Sequence, residues 1–305
     1  MKLAYALMAD RDEPACAVLI GEILYDLSRL LAARENVTGD APVPADPMTP
    51  LEAARAARRL SPLVDEAHDL LNERGLLREV ALPEGTARLL APLPRPNRIL
   101  AVGRNYAEHA KEQGKTVFEE PIVFLKASTS VIGTDEAIEI PDWAGRVDYE
   151  GELLVVLGKG GKNVSEPDAM NLVCGYSLFN DVTARALQRA DQERKHPWFR
   201  SKSLDTFGPL GPYLVTADEI PDPHDLRLTL SVNGETKQND TTASMVYSIP
   251  ALIVFLSKHF RLESGDVIAT GTPSGIGPLV PGDVVEVSIP GLGALRNPVV
   301  AAPVG

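Results

Sequence analysis

Two glutamates spaced i and i+2, Glu150 and Glu152, open the apolar run Leu153-Leu154-Val155-Val156-Leu157 within the stretch 147–157. Read as one extended strand, this stretch sends side chains at i and i+2 out of the same face, about 6.5–7 Å apart, so the two carboxylates converge. The apolar run anchors the strand between covering layers, which holds the acids at the rim of a core where an unpaired charge is costly. A third acid, Asp181, follows a second apolar run from Leu172 to Phe179. Three carboxylates meeting there form an all-oxygen site, which favours a hard cation, Mg2+ or Mn2+, ahead of Zn2+, with waters completing an octahedron. A lone E-x-E is also what a solvated strand edge carries, so the reading depends on the company these acids keep.

Four other segments have residue types that suit chemistry around such a centre. In Gly103-Arg104-Asn105-Tyr106-Ala107-Glu108-His109-Ala110-Lys111-Glu112, Asn105 is a good N-cap with Glu108 three residues on, so a short helix is expected to start there. His109 and Glu112 would share a face of it, and a carboxylate beside an imidazole orients it and raises its basicity, as a base that activates water requires. After Asp181, Arg185 and Gln188 fall at i and i+3 and could reach the oxygens of a substrate. Lys202, among aromatics and glycine in 198–209, offers a compact cation for an enolate or a carboxylate. The glycine-rich turn 269–277 can bring backbone N–H groups and Thr272 against an anion. Neither it nor Gly158-Lys159-Gly160-Gly161-Lys162 matches a phosphate-binding G-x-x-x-x-G-K-[ST] loop.

The elements that must position these residues read as β-rich. Short apolar runs recur at 98–103, 121–126, 137–140, 152–157, 172–179, 212–216, 226–232, 266–270 and 283–289, punctuated by Gly and Pro. Upstream, 2–8 and 16–27 read as a hairpin, and 49–75 has helical spacing of Leu51, Ala54, Ala57, Leu60, Leu63, Ala67 and Leu71, with Ser61-Pro62 expected to split it into two helices. Alternating prolines in 91–97 read as a stiff connector, which sets a small domain over 1–92 and a larger one over 93–305. With 305 residues, 44% of them hydrophobic, the chain can bury a substantial core. A net charge of −12 without a Lys/Arg tract disfavours nucleic acid and anionic membranes as partners and leaves a small-molecule site open. Two cysteines, no membrane-spanning run and no signal peptide at the N-terminus point to a soluble protein of the cytoplasm.

Taken in order, the motifs resemble those of the fumarylacetoacetate hydrolase family: G-R-N-Y-x-x-H, F-x-K, D-x-E-x-E-L, N-D-x-[TS]-A-R, K-S-x-D-T-x-x-P-x-G and G-T-P-x-G-[VI]-G all occur within about 95–290. The resemblance implies a β-rich α+β fold, with a mixed-sheet, β-roll catalytic domain over 93–305 and a small α/β N-terminal domain, commonly as a homodimer. It implies a divalent metal at Glu150, Glu152 and Asp181, and a His109–Glu112 pair on a mobile lid helix. Lys202 would be catalytic, and Arg104, Tyr106, Lys126, Arg185, Gln188 and Thr272 would line the substrate. Residues 1–90 are close to the short N-terminal region of bacterial members. The aspartate that the name-giving enzyme supplies as a fourth ligand is not apparent, so water is expected in its place. The activity expected first is hydrolysis of the C3–C4 bond of a 2,4-dioxo acid of the acylpyruvate type to pyruvate and a carboxylic acid. Oxaloacetate decarboxylation or tautomerisation and 2-hydroxyhepta-2,4-diene-1,7-dioate isomerisation share its pyruvate-enolate chemistry. A silent metabolite-binding scaffold is the reading from outside enzymology.

Overall fold

The computed structural model of the chain describes residues 1–9, 12–43, 48–83, 85–107 and 119–303. Its centre is the strand Gly151–Leu157, all of whose residues are buried. It pairs antiparallel with Val173–Asn180 on one side and with Val267–Ala269 on the other. Leu153, Val155 and Leu157 enter one core cluster, whereas Leu154 and Val156 enter another, the two-residue alternation of a strand covered on both faces.

Among the described residues this strand belongs to an eleven-stranded mixed sheet. From Val267–Ala269 the sheet continues through Ile99–Gly103 to Ile122–Lys126; from Val173–Asn180 it continues through Gly208–Thr216 to Lys2–Met8. Each apolar run expected downstream of 97 forms a strand within a few residues of its expected bounds. The sheets are open rather than closed into a barrel, and the fold is a strand-rich mixture of helix and strand.

Three features differ from the sequence expectation. The stretch 16–27 is not one strand: Gly21, at φ 61°, turns it into the antiparallel pair Ala15–Ile20 and Ile23–Asp26, and Leu27 already opens a helix. The stretch 147–157 is two strands rather than one: Val147–Tyr149 lies in a three-stranded sheet with Thr183–Ala184 and Gly277–Leu279, and Gly151–Leu157 lies in the large sheet. Glu150 is the corner between them. Its N–H donates to the Asn180 side chain at 2.9 Å and its carbonyl accepts from the Asp181 N–H at 2.8 Å, so tertiary hydrogen bonds replace strand pairing there. Another difference is in 49–75, where the break falls at Ala56, between helices Pro50–Arg55 and Ala57–Glu73. Pro62 sits inside the second helix. The carbonyl it leaves without an intrahelical donor belongs to Arg58, an exposed residue open to water, which makes the proline tolerable.

The N-terminal segment does not close a sheet of its own. Lys2–Met8 pairs with Gly208–Thr216, Leu3 opposite Leu214, and extends the large sheet through Ala15–Ile20 and Ile23–Asp26. The helices Leu27–Thr38 and Ala57–Glu73 bury Leu30, Leu60 and Leu71 in the same cluster as Leu154, Leu210 and Leu214. Among the described residues, no helix is long and apolar enough to cross a membrane.

Candidate metal centre and active site

The three acids come from three different backbone settings: the corner at Glu150, the beginning of the central strand at Glu152, and the loop that follows Val173–Asn180 at Asp181. One oxygen from each lies within 4.8 Å of the others, and all three residues are buried. Such a group survives burial only with compensating cations. The Lys202 ammonium donates to Glu150 Oε2 at 2.7 Å and also to Asp181 Oδ2. Lys126 Nζ lies 2.9 Å from Asp181 Oδ1 and donates to the carbonyls of Val182, at 3.1 Å, and Lys202. The Arg185 guanidinium donates to Glu150 Oε1, to Asp148 Oδ2 at 2.8 Å and to Gln188 Oε1 at 2.5 Å.

Glu152 is placed differently. Its Oε2 accepts the Gly271 N–H at 2.9 Å, and no cation among the described residues pairs with it. Burial, then the neighbouring charges of Asp181 and Glu150, push its pKa well above the ordinary carboxylate range. Lys202 goes the other way: burial pulls it down, but Asp181 and Glu150 outweigh that and hold it protonated. For Lys126 burial wins over Asp181, and its pKa falls. Of the four buried acids here, Asp148 pairs with Arg185 and Arg146, Glu150 with Arg185 and Lys202, and Asp181 with Lys126 and Lys202; among the described residues Glu152 is the acid with no cation of its own. Oxygen donors only, a shared focus and one carboxylate left without a cation fit a divalent cation of the Mg2+ or Mn2+ type.

Glycine-rich 269–277 delivers its backbone N–H to this site, and the anion it meets is Glu152 itself. Gly271 has φ +98°, and a Cβ there would stand 2.8 Å from the Cβ of Asn105. Asn105 ties two segments together: its amide donates to the carbonyls of Thr270, at 2.8 Å, and Tyr247, at 3.0 Å, and accepts the Tyr247 N–H at 2.7 Å. Asn105 thus acts as a strut between these segments, and the helix it is expected to cap lies outside the described residues.

A pocket opens beside the acids, and Arg104, Arg185, Gln188, Lys202 and Thr272 all line it. Arg104 adopts a left-handed backbone, φ 58°, uncommon for a residue with a Cβ, and holds its guanidinium 5.8 Å above the Trp198 ring. Lys126 and Tyr106 are not in the wall. Lys126 stands behind Asp181, and Tyr106 is buried with its hydroxyl lacking a hydrogen-bond partner among the described residues. His109 and Glu112 lie outside the described residues.

Several residues at the site escaped sequence reasoning. Asp148 and Asn180 stand inside motifs already noted, yet nothing in their spacing indicates that one braces Arg185 and the other holds the Glu150 N–H. Gln238 had no signal at all, being one polar residue in the polar strand Glu235–Thr241. It is nonetheless buried, accepts the Gly151 N–H at 3.0 Å and donates to Thr272 Oγ1 and the Pro273 carbonyl, each at 2.8 Å. Phe124, Gln192 and Trp198 complete the pocket wall.

Known proteins share this arrangement of chain. Residues 98–300 match the family model described as fumarylacetoacetate (FAA) hydrolase C-terminal. An oxaloacetate tautomerase, mitochondrial, of Xenopus laevis is 45% identical over 226 residues, which is 72% of this chain and 70% of that protein. The solved structure of maleylpyruvate hydrolase from Sphingobium sp. SYK-6, in complex with manganese(II) and pyruvate, superposes with a TM-score of 0.76 at 29% identity, covering 99% of this chain and 100% of that one. That of 2-hydroxyhepta-2,4-diene-1,7-dioate isomerase from Mycobacterium marinum does so with a TM-score of 0.72 at 31% identity, covering 99% of this chain and 98% of that one. The motif order, the buried acids and the extent of these matches lead to one conclusion: the chain belongs to the fumarylacetoacetate hydrolase family of enzymes.

Proposed function

We propose that the chain is a Mg2+- or Mn2+-dependent hydrolase that cleaves the C3–C4 bond of an acylpyruvate-type 2,4-dioxo acid to pyruvate and a carboxylic acid. The observation that carries this reading is the buried set Glu150, Glu152 and Asp181, with Lys202 donating to two of its members at the wall of the pocket. Pyruvate and manganese(II) in the related maleylpyruvate hydrolase support it. A divalent cation held by the three carboxylates would supply Lewis acidity toward the substrate's oxygens.

The chain's own residues do the rest. Water adds to the 4-carbonyl, C3–C4 breaks, and the electron pair left on the pyruvyl fragment becomes an enolate that takes a proton at C3. Lys202, a compact cation held protonated by two carboxylates, faces the negative charge that grows on that fragment. Arg185, braced by Asp148, fixes one oxygen of Glu150, while Gln188 and Thr272 present polar groups to the pocket. By its sequence spacing, His109 oriented by Glu112 is the base that takes the proton from the attacking water.

The 45% identity to an oxaloacetate tautomerase favours a second reading, in which the same cation-lined pocket moves a proton next to the 2-oxo group and no water attacks. A panel of acylpyruvates, oxaloacetate and 2-hydroxyhepta-2,4-dienedioate, assayed with Mg2+ or Mn2+ restored after chelation, tests both. Hydrolysis of an acylpyruvate is the expected outcome, and keto–enol exchange of oxaloacetate without acylpyruvate cleavage would replace the first reading by the second. Mn2+ binding without turnover of any member would make the protein a silent metabolite binder. In His109→Ala, hydrolysis should fall roughly 10²–10⁴-fold with Mn2+ binding retained, the usual effect of losing a general base.

A further inference from the structure

Beyond Lys202 the pocket wall is aromatic and continuous. The Lys202 ammonium lies 5.1 Å from the centroid of the Phe124 ring, and Phe124 meets Trp198 edge-on with centroids 5.4 Å apart. The Arg104 guanidinium lies over the Trp198 ring, 5.8 Å from its centroid. The wall therefore starts within a ring's width of the cation that faces the 2-oxo acid head and runs outward from it.

Gly103 explains how the wall is seated. It ends the strand Ile99–Gly103, and a Cβ on it would stand 2.9 Å from Cζ3 of Trp198. Its backbone is not in the left-handed region, so the missing side chain serves this contact rather than a turn. The Trp198 ring rests on bare backbone, where any larger residue would push it away. Its main chain has separate work: the Trp198 carbonyl accepts the Lys202 N–H at 3.2 Å and the Ser201 hydroxyl at 2.8 Å. Removing the indole thus leaves the anchors of Lys202 in place.

We infer that Trp198, seated on Gly103 and Phe124, is the specificity-determining residue for the acyl end of the substrate, restricting the pocket to 2-oxo acids with a short acyl group. The inference rests on the proposed hydrolase reading only for where the 2-oxo acid head sits. Space beside the wall, not charge, does the selecting: a bulky acyl group would have to occupy the volume that the indole fills.

The test compares binding of oxalate, which carries only the head group, with binding of 4-phenyl-2,4-dioxobutanoate, by calorimetry on Mn2+-loaded protein. Trp198→Ala should raise the affinity for the phenyl compound relative to oxalate on the order of 10–100-fold, the selectivity that pocket-size changes give. Oxalate and Mn2+ affinities should stay at parental values. Gly103→Ala, which displaces the indole, should shift the same ratio while the indole remains present. Trp143 and Trp198 are the only tryptophans, so in Trp143→Phe the emission of Trp198 alone should change when either acid binds. A ratio unmoved in both pocket variants, with oxalate still bound, would overturn this inference and leave the hydrolase reading standing. Parent protein that binds Mn2+ but neither acid would overturn both.

Discussion

Glu152 concentrates the electrostatics of the site in one residue. It is buried beside Glu150 and Asp181, and its hydrogen-bond partner among the described residues is the Gly271 N–H. A carboxyl whose pKa is higher folded than unfolded favours the folded state fully below the ordinary glutamate value, about 4.3. That contribution is lost as pH rises through the folded value. The metal-free protein should therefore lose stability as pH rises above the ordinary glutamate range, and Glu152→Gln should flatten the loss in urea titrations at several pH values. A divalent cation requires the ionised form, so Mn2+ binding should release a proton wherever Glu152 carries one, and affinity should rise with pH. Calorimetry in two buffers of different ionisation enthalpy reads this directly. Buffer-independent heat across the pH range would mean that Glu152 is already ionised, and parental Mn2+ affinity in Glu152→Gln would remove it from the site.

At the scale of elements, the site depends on a corner and a turn. The corner at Glu150 lets one short stretch feed two sheets, and the turn at Gly271 brings a backbone N–H to the acid that lacks a cation. Gly271→Ala compounds two faults: a side chain at φ +98° and a Cβ at 2.8 Å from that of Asn105. Gly282 is a control for the first fault alone, since it has φ +102° with nothing within 4 Å of a Cβ. We expect Gly282→Ala to cost about 1–3 kcal/mol, the range for a strained backbone conformation, with Mn2+ affinity unchanged. Gly271→Ala should cost more and weaken Mn2+ binding as well, because the turn must move away from Asn105 and takes its N–H with it. Equal effects of the two substitutions on metal affinity would show that the Gly271–Glu152 hydrogen bond does not shape the site.

On the scale of the whole molecule, the large sheet joins the N-terminal segment to the part that carries the acids. Leu3 is fully buried in the cluster that also holds Leu154, Val156 and Leu214. Leu3→Ala should cost about 2–5 kcal/mol, the range for emptying such a core position. Both tryptophans lie beyond residue 97, so their fluorescence reports on the remote part of the chain. The urea midpoint read by tryptophan emission should fall together with that read by far-UV circular dichroism. A tryptophan transition left in place would mean that residues 1–92 unfold as a separate unit.

The chain's local chemistry was legible in its sequence. The apolar runs that become strands, the three acids beside them, and Arg185, Gln188, Lys202 and Thr272 around the pocket all follow from residue type, period and motif, because each signal spans only a few neighbours. Tertiary structure decided what those residues do to one another. Gly271 reaches Glu152 across 119 positions, Gln238 reaches Gly151 across 87, and Lys126 reaches the Lys202 carbonyl across 76. No periodicity carries such pairings, since they join a strand to a loop, to a strand of another sheet or to a helix that only the folded chain brings near. The same holds for the corner at Glu150, where the Asn180 and Asp181 backbone-directed hydrogen bonds override a run that reads as one strand, and for Trp198, whose seat exists only because Gly103 has no side chain. Sequence determined which groups are present and roughly where they begin; packing determined which acid lacks a cation, which lysine faces the pocket and which stands behind it.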